Sequence, residues 1–147
     1  MDEIKQMDQK GIDFLIQEEG IRYTPYLDSV GIPTIGIGAT YYEDGKRVTM
    51  QDPQITKERA IGLFKNLLKH YEMAVYSVTR DDINQNQFNA LTSLCYNIGV
   101  NAFKKSTVVR RVNENPSDNN IGDAFLMWKK PVELIPRRQR EVKLYFS

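Results

Sequence analysis

The segment TKERAIGLFKNLLKHYEMAVYSVTR, beginning at Thr56, constrains the fold more than any other stretch of the chain. Its apolar residues Ala60, Leu63, Phe64, Leu67, Leu68, Tyr71, Ala74 and Val75 recur at helical spacing over about five turns, and Thr56 stands where an N-cap belongs. The pattern predicts a helix over 57–76, long enough to join two lobes. The sequence on its two sides differs in kind.

On the amino-terminal side, Asp8 can cap a helix whose apolar positions Ile12, Leu15 and Ile16 fall at i, i+3 and i+4, and Gly20 supplies a left-handed stop. Glu19 lies at i+7 from Ile12, on the face of the apolar stripe and at the carbonyl end of that helix. From 23 to 50, Pro25, Gly31, Pro33, Gly36, Gly38 and the Asp44-Gly45 turn interrupt short β-branched and aromatic runs, which predicts two or three small antiparallel strands. Within TIGIG, period two sets Ile35 and Ile37 on one face and Thr34, Gly36 and Gly38 on the other.

On the carboxyl-terminal side the spacing predicts helices over about 84–98 (Phe88, Leu91, Leu94, Cys95 and Ile98), 107–113 after Ser106, 119–129 (Ile121, Ala124, Phe125 and Trp128) and 137–146 after Pro136. The expected class is therefore α+β, a single domain over 1–147. A small β-containing lobe covers about 20–55, and a helical lobe of about 80–147 takes in the N-terminal helix.

Bulk properties exclude several functions. At 147 residues the chain can bury about two-thirds of its unfolded surface without an outside staple. No apolar run approaches the roughly 18 residues of a membrane span, and the charged start MDEIKQMDQK lacks the apolar centre of a secretory signal, so folding in a cytoplasm is expected. The lone Cys95 forms no internal disulfide. Twenty Lys and Arg against nineteen Asp and Glu leave a net charge of +1, which gives no argument for nucleic acid. The basic runs at 110–111, 129–130 and 137–140 read as solvated helix faces, with contact to an anionic polymer as the sharper alternative.

Among chemical constellations, the G-I-G of 36–38 lacks the third glycine and the following helix of a nucleotide fingerprint. Cys95 repeats with Phe88, Leu91 and Ile98, and His70 lies on a polar helix side, so they read as a core thiol and a surface imidazole. One cysteine and one histidine build no structural zinc site, and no metal or other cofactor is expected. The pair Glu19 and Asp28 remains. Cleaving a glycosidic bond takes a carboxylic acid for the leaving oxygen and a carboxylate for water or the developing cation, held in different environments. Glu19 sits at an apolar helix end, and Asp28 sits in the polar turn D-S-V-G with Thr34 on the returning strand. Taken singly, a solvated helix end and an Asx turn account for the same two residues.

The run E-G-x-R-x-x-x-Y-x-D-x-x-G-x-x-T-I-G-x-G, here Glu19, Gly20, Arg22, Tyr26, Asp28, Gly31, Thr34, Ile35, Gly36 and Gly38, resembles the signature of the phage-type lysozymes, the T4-like and lambdoid muramidases. The resemblance continues through QFNALTSLCYNIG at 87–99, Phe103, Ser106-Thr107, Trp128 and the Arg137, Arg138, Glu141 group. It implies a lysozyme-like fold with the active-site cleft between the lobes. It also implies metal-free hydrolysis of the β-1,4 bond between N-acetylmuramic acid and N-acetylglucosamine in peptidoglycan.

By that resemblance Glu19 is the general acid, Asp28 directs the attacking water and Thr34 helps hold it. Thr40, Tyr96 and Ser106 match saccharide-lining positions, and Arg137, or Arg138 if the register slips by one, matches an arginine that approaches the catalytic glutamate. Inversion at the anomeric carbon is expected, as is a monomeric endolysin without stable membrane association. It would wait in the host cytoplasm until a holin opens the way to the periplasm and cell wall. Ala39 stands where the family commonly has histidine, and E-L-I-P replaces the usual glycine-leucine before the arginines. A non-catalytic glycan-binding module and a lytic transglycosylase are the alternatives.

Overall fold

The computed structural model describes residues 3–147. The chain is mixed helical with one small two-stranded sheet: α1 (Gln9–Glu19), β1 (Arg22–Leu27), β2 (Pro33–Gly36), α2 (Lys57–Val78), α3 (Gln85–Ile98), α4 (Val100–Lys104), α5 (Thr107–Glu114), α6 (Asn120–Leu126), a short 3-10 turn (Val132–Leu134) and α7 (Ile135–Tyr145). The described residues divide into two compact units, 14–70 and the remainder, 3–13 with 71–147. Both α1 and α2 contribute residues to each unit.

Local signals placed the helix ends. Asp8 Oδ1 accepts from Gly11 N at 3.0 Å and Thr56 Oγ1 from Arg59 N at 3.0 Å, so each side chain satisfies an amide that the first turn leaves open. Gly20, at φ 75°, ends α1 in the left-handed region with its N–H on Ile16 O at 2.8 Å. Asn84 and Gln87 form a reciprocal capping box on α3, and Ser106 caps α5.

In the 14–70 unit, β1 and β2 pair antiparallel with Leu27 opposite Pro33 and Tyr26 opposite Thr34, and the register shifts between Arg22 and Tyr26. Beyond Gly36 the alternation expected for TIGIG fails. Gly36 and Gly38 take φ of 66° and 77°, and Ile35 pairs with Ala39 through two backbone bonds of 2.9 and 3.0 Å, so the chain folds back on itself. A Cβ on Gly36 would meet the Ala60 Cβ at 3.6 Å, so this bare backbone packs on α2. Ile35, Ala39, Val48 and Leu63 form the core cluster, with Tyr42, Ile55 and Leu67 against it. Ala39, where a histidine is usual in the family signature, is thus a core residue.

In the other unit α3 is central, and every residue from Phe88 to Cys95 is buried. The sequence showed one apolar face, yet Asn89, Thr92 and Ser93 are interior too. Each is hydrogen-bonded: Asn89 Nδ2 to Asp8 Oδ1 at 2.8 Å, Thr92 Oγ1 to Phe88 O at 2.9 Å, Ser93 Oγ to Glu141 Oε2 at 2.5 Å. α7 packs on α3 and α6, and α5 on α6.

Two expectations need correction here. The helix predicted over 119–129 stops at Leu126, leaving Lys129 and Lys130 on exposed non-helical chain. The 137–140 tract is only half solvated: Gln139 and Arg140 are exposed, but Arg137 and Arg138 are buried at 5% and 0% exposure. Glu141, with no exposed surface, supplies their counter-charge. The short helix α4 and the 3-10 turn at Val132–Leu134 carry no periodic signal of their own.

Candidate active site

Asp28 follows the last residue of β1, in the turn that leads to β2. Its Oδ1 accepts from the amides of Val30 and Ile32, both at 2.9 Å, so the Asx-turn reading of this residue is realised. The Asp28 N–H donates to Ile32 O at 3.0 Å, and Gly31 N donates to Asp28 O at 3.0 Å. Two amide donors on a single oxygen fix the carboxylate's orientation.

Thr34 enters the same arrangement from β2. It is buried, at 3% exposure, and its hydroxyl donates to Ile32 O at 2.8 Å. Having given its proton to a carbonyl, the hydroxyl has lone pairs left to accept from a water. The backbone of Ile32 therefore ties Asp28 to Thr34: its N–H serves one side chain and its carbonyl the other.

Glu19 is the last residue of α1 and is half-buried. Its carboxylate and that of Asp28 both act on Tyr26. Burial first pushes the Tyr26 phenol above its ordinary range, the Arg22 guanidinium opposes this, and the Glu19 and Asp28 charges add to the rise. One phenol in the field of both carboxylates links the two ends of the Glu19-to-Asp28 stretch within the 14–70 unit. Tyr26 belongs to the signature motif, which assigns it no role of its own. The only sign of it there was its place two residues before Asp28.

The other expected site residues have structural partners of their own. Thr40 is half-buried, and its carbonyl accepts from Val48 N at 2.9 Å. Tyr96 packs on Tyr71 with ring centroids 4.7 Å apart. Ser106, at 7% exposure, uses its oxygen to cap α5, accepting from Val109 N at 3.2 Å. Arg137 donates to Glu141 Oε2 at 3.2 Å and to the Ser93 carbonyl at 3.0 Å. Arg138, the alternative register, spends its guanidinium on Glu141, Asn97 and the Trp128 carbonyl.

Cys95 and His70 are a core thiol and a surface imidazole, as their spacing predicts. Cys95 is fully buried and its thiol is pushed up to about 12 by desolvation, while His70 is exposed. Among the described residues no group of three or more His, Cys, Asp and Glu side chains is arranged to hold a metal ion. No helix among them is long and apolar enough to cross a membrane.

The chain is similar to known proteins over nearly its whole length. The endolysin of Salmonella phage P22 is 45% identical over 146 residues, covering 97% of this chain and 99% of its own. The endolysin from Escherichia coli O157:H7 phage FAHEc1 superposes with a TM-score of 0.91 at 32% identity, over 97% of this chain and 94% of its own. The muramidase domain of SpmX from Asticaccaulis excentricus does so with a TM-score of 0.82 at 30% identity, over 98% and 99%. The family described as phage lysozyme matches residues 16–141, and this chain belongs to that family.

Proposed function

We propose that this chain cleaves peptidoglycan with Glu19 as general acid, Asp28 as the carboxylate that directs water and Thr34 as the hydroxyl that holds that water. The activity is that of an endolysin, a muramidase of the glycoside hydrolase type, acting on the cell wall. Its bond is the β-1,4 link between N-acetylmuramic acid and N-acetylglucosamine.

The observation that carries the assignment is the Ile32 bridge, which holds Asp28 and Thr34 side by side in the unit that also contains Glu19. In the proposed step Glu19 gives its proton to the glycosidic oxygen, and the leaving sugar departs with a hydroxyl. Water attacks the anomeric carbon from the opposite face and passes its proton to the Asp28 carboxylate. Inversion is the proposed outcome, which sets the two carboxyl groups about 6.5–9.5 Å apart. Thr40, Tyr96 and Ser106 are proposed to contact saccharide and Arg137 to support the acid, on the family signature alone. A monomer that stays on the cytoplasmic side until a holin opens the membrane completes the proposal.

Clearing of purified peptidoglycan by the wild type and by Glu19→Gln, with mass spectrometry of the released fragments, tests the assignment. The expected result is loss of clearing in a folded Glu19→Gln variant and reducing ends in the wild-type products. Anhydro sugars would transfer the chain to the lytic transglycosylases. Wall binding without release by the wild type would make it a binding module.

A further inference from the structure

We propose that the cavity lined by Tyr42, Glu43, Asp52, Pro53, Ile55 and Arg59 is a second glycan site, which takes the acetamido group of an N-acetylhexosamine in the wall strand. The inference goes beyond the assignment of Glu19, Asp28 and Thr34 and does not rest on it, since none of those three lines this cavity.

The cavity lies wholly within the 14–70 unit and has a volume of about 540 Å³. Small-molecule sites commonly enclose about 300–1,000 Å³. Two segments build its walls. One is the hairpin 40–48, closed by bonds of 2.9 Å from Tyr42 N to Lys46 O and from Val48 N to Thr40 O. The other is the stretch 52–59, which Ile55 N ties to Tyr23 O of β1 at 2.8 Å before the chain enters α2. Tyr42 and Ile55 pack on the core cluster of Ile35, Ala39, Val48 and Leu63, so the apolar floor is fixed from beneath.

Hydrogen bonds fix an acceptor and a donor above that floor. Asp52 Oδ2 accepts from Tyr42 Oη at 2.6 Å and from Thr49 N at 2.9 Å, and Oδ1 accepts from Thr49 Oγ1 at 2.6 Å. A carboxylate has about four lone-pair sites, so a place is left at Oδ1. Burial first, and then the bond to Asp52, push the Tyr42 phenol up to about 12, which keeps it a donor to that carboxylate. Arg59 gives one N–H from each Nη to Glu43, at 2.5 and 2.8 Å. This pairing orients the guanidinium plane and leaves the Nε–H and a second N–H on each Nη for other partners.

An acetamido group matches the set. Its N–H meets Asp52 Oδ1, its carbonyl oxygen meets the Arg59 guanidinium and its methyl rests on Pro53 and Ile55. A cation would satisfy Asp52 but offer Arg59 no acceptor. Every sugar of a strand of N-acetylmuramic acid and N-acetylglucosamine carries such a group. A second hold on the same polymer keeps the enzyme at raised effective concentration on the wall between cleavages.

The test is an amide NMR titration of the isotope-labelled full chain with N-acetylglucosamine trisaccharide and, separately, with the cationic glucosamine trisaccharide. The expected result is saturable shifts at the Asp52, Ile55 and Arg59 amides with the acetylated sugar and none with the amino sugar. Arg59 is exposed and the spectrum itself reports folding, so Arg59→Leu gives the second reading: the Kd measured at Asp52 and Ile55 should rise about tenfold or more. No saturable shift at Asp52 and Ile55 overturns the inference, whether or not Val30 and Ile32 beside Asp28 respond. An unchanged Kd in folded Arg59→Leu overturns it as well. Equal shifts with the glucosamine trisaccharide would make the cavity a cation site and overturn the acetamido assignment.

Discussion

Glu141 in the helical unit and Asp28 in the 14–70 unit are both held by hydrogen bonds, but by opposite means. Glu141 has no exposed surface and is enclosed by Arg137, Arg138 and the Ser93 hydroxyl, all side chains from α3 and α7. Asp28 is half-buried and rests on amides of its own turn. A buried charge must be saturated by its partners, because an unmatched one costs several kcal/mol. A half-exposed carboxylate held at one oxygen can still meet water and substrate. Charge is structural in one unit and proposed to be chemical in the other.

The strongest way to break this comparison is to exchange the consequences. Glu141→Gln should destabilise by about 3–5 kcal/mol, since it leaves two buried guanidinium groups short of their counter-charge. Denaturant unfolding measures it, and a loss under about 1 kcal/mol would show that the buried group is not the structural charge described here. Glu19→Gln and Asp28→Asn should do the reverse, each lowering clearing by about a hundredfold or more while the unfolding midpoint stays near wild type. An unfolded Asp28→Asn would mean that the turn needs the charge itself.

Two glycines sharpen the contrast at a smaller scale. A Cβ on Gly11 would lie 2.4 Å from Asn89 Cγ, and Asn89 is itself fully buried and bonded to Asp8 and Gln85. Gly11→Ala should therefore cost about 1–3 kcal/mol despite the better helix propensity of alanine. Gly62, exposed in α2 with nothing within 4 Å of its Cβ position, should gain about 0.5–1 kcal/mol as alanine. Thermal unfolding of the pair reads both signs. The smallest effect is on Cys95: with its thiol pushed up to about 12, a thiol reagent at pH 8 should react very slowly with the native protein and rapidly once it is unfolded. Fast native labelling would show that the α3 interior opens.

How much of this was legible beforehand follows the reach of each interaction. The caps at Asp8, Thr56 and Ser106 were readable because each bonds an amide three residues on. The apolar spacing of α2 announced its length to within a turn. The doubling back at Gly36 and Gly38 was not readable, because a run of alternating small and β-branched residues fits a strand equally well until Ile35 meets Ala39. Tyr26 is visible in sequence only as a letter of a signature, because its place opposite Thr34 depends on the pairing of two strands.

The sequence by itself determined the class of fold, the ends of most helices and the order of Glu19, Asp28 and Thr34 along the chain, because periodicity and capping act over a few residues. Tertiary structure alone decided that Arg137 and Arg138 lie inside while Lys129 and Lys130 stay out, for their runs look alike in sequence. The difference is set by partners far along the chain, Ser93 for Glu141 at 48 residues and Asn97 for Arg138 at 41. A cation enters a low-dielectric interior only where such distant groups converge to replace its water.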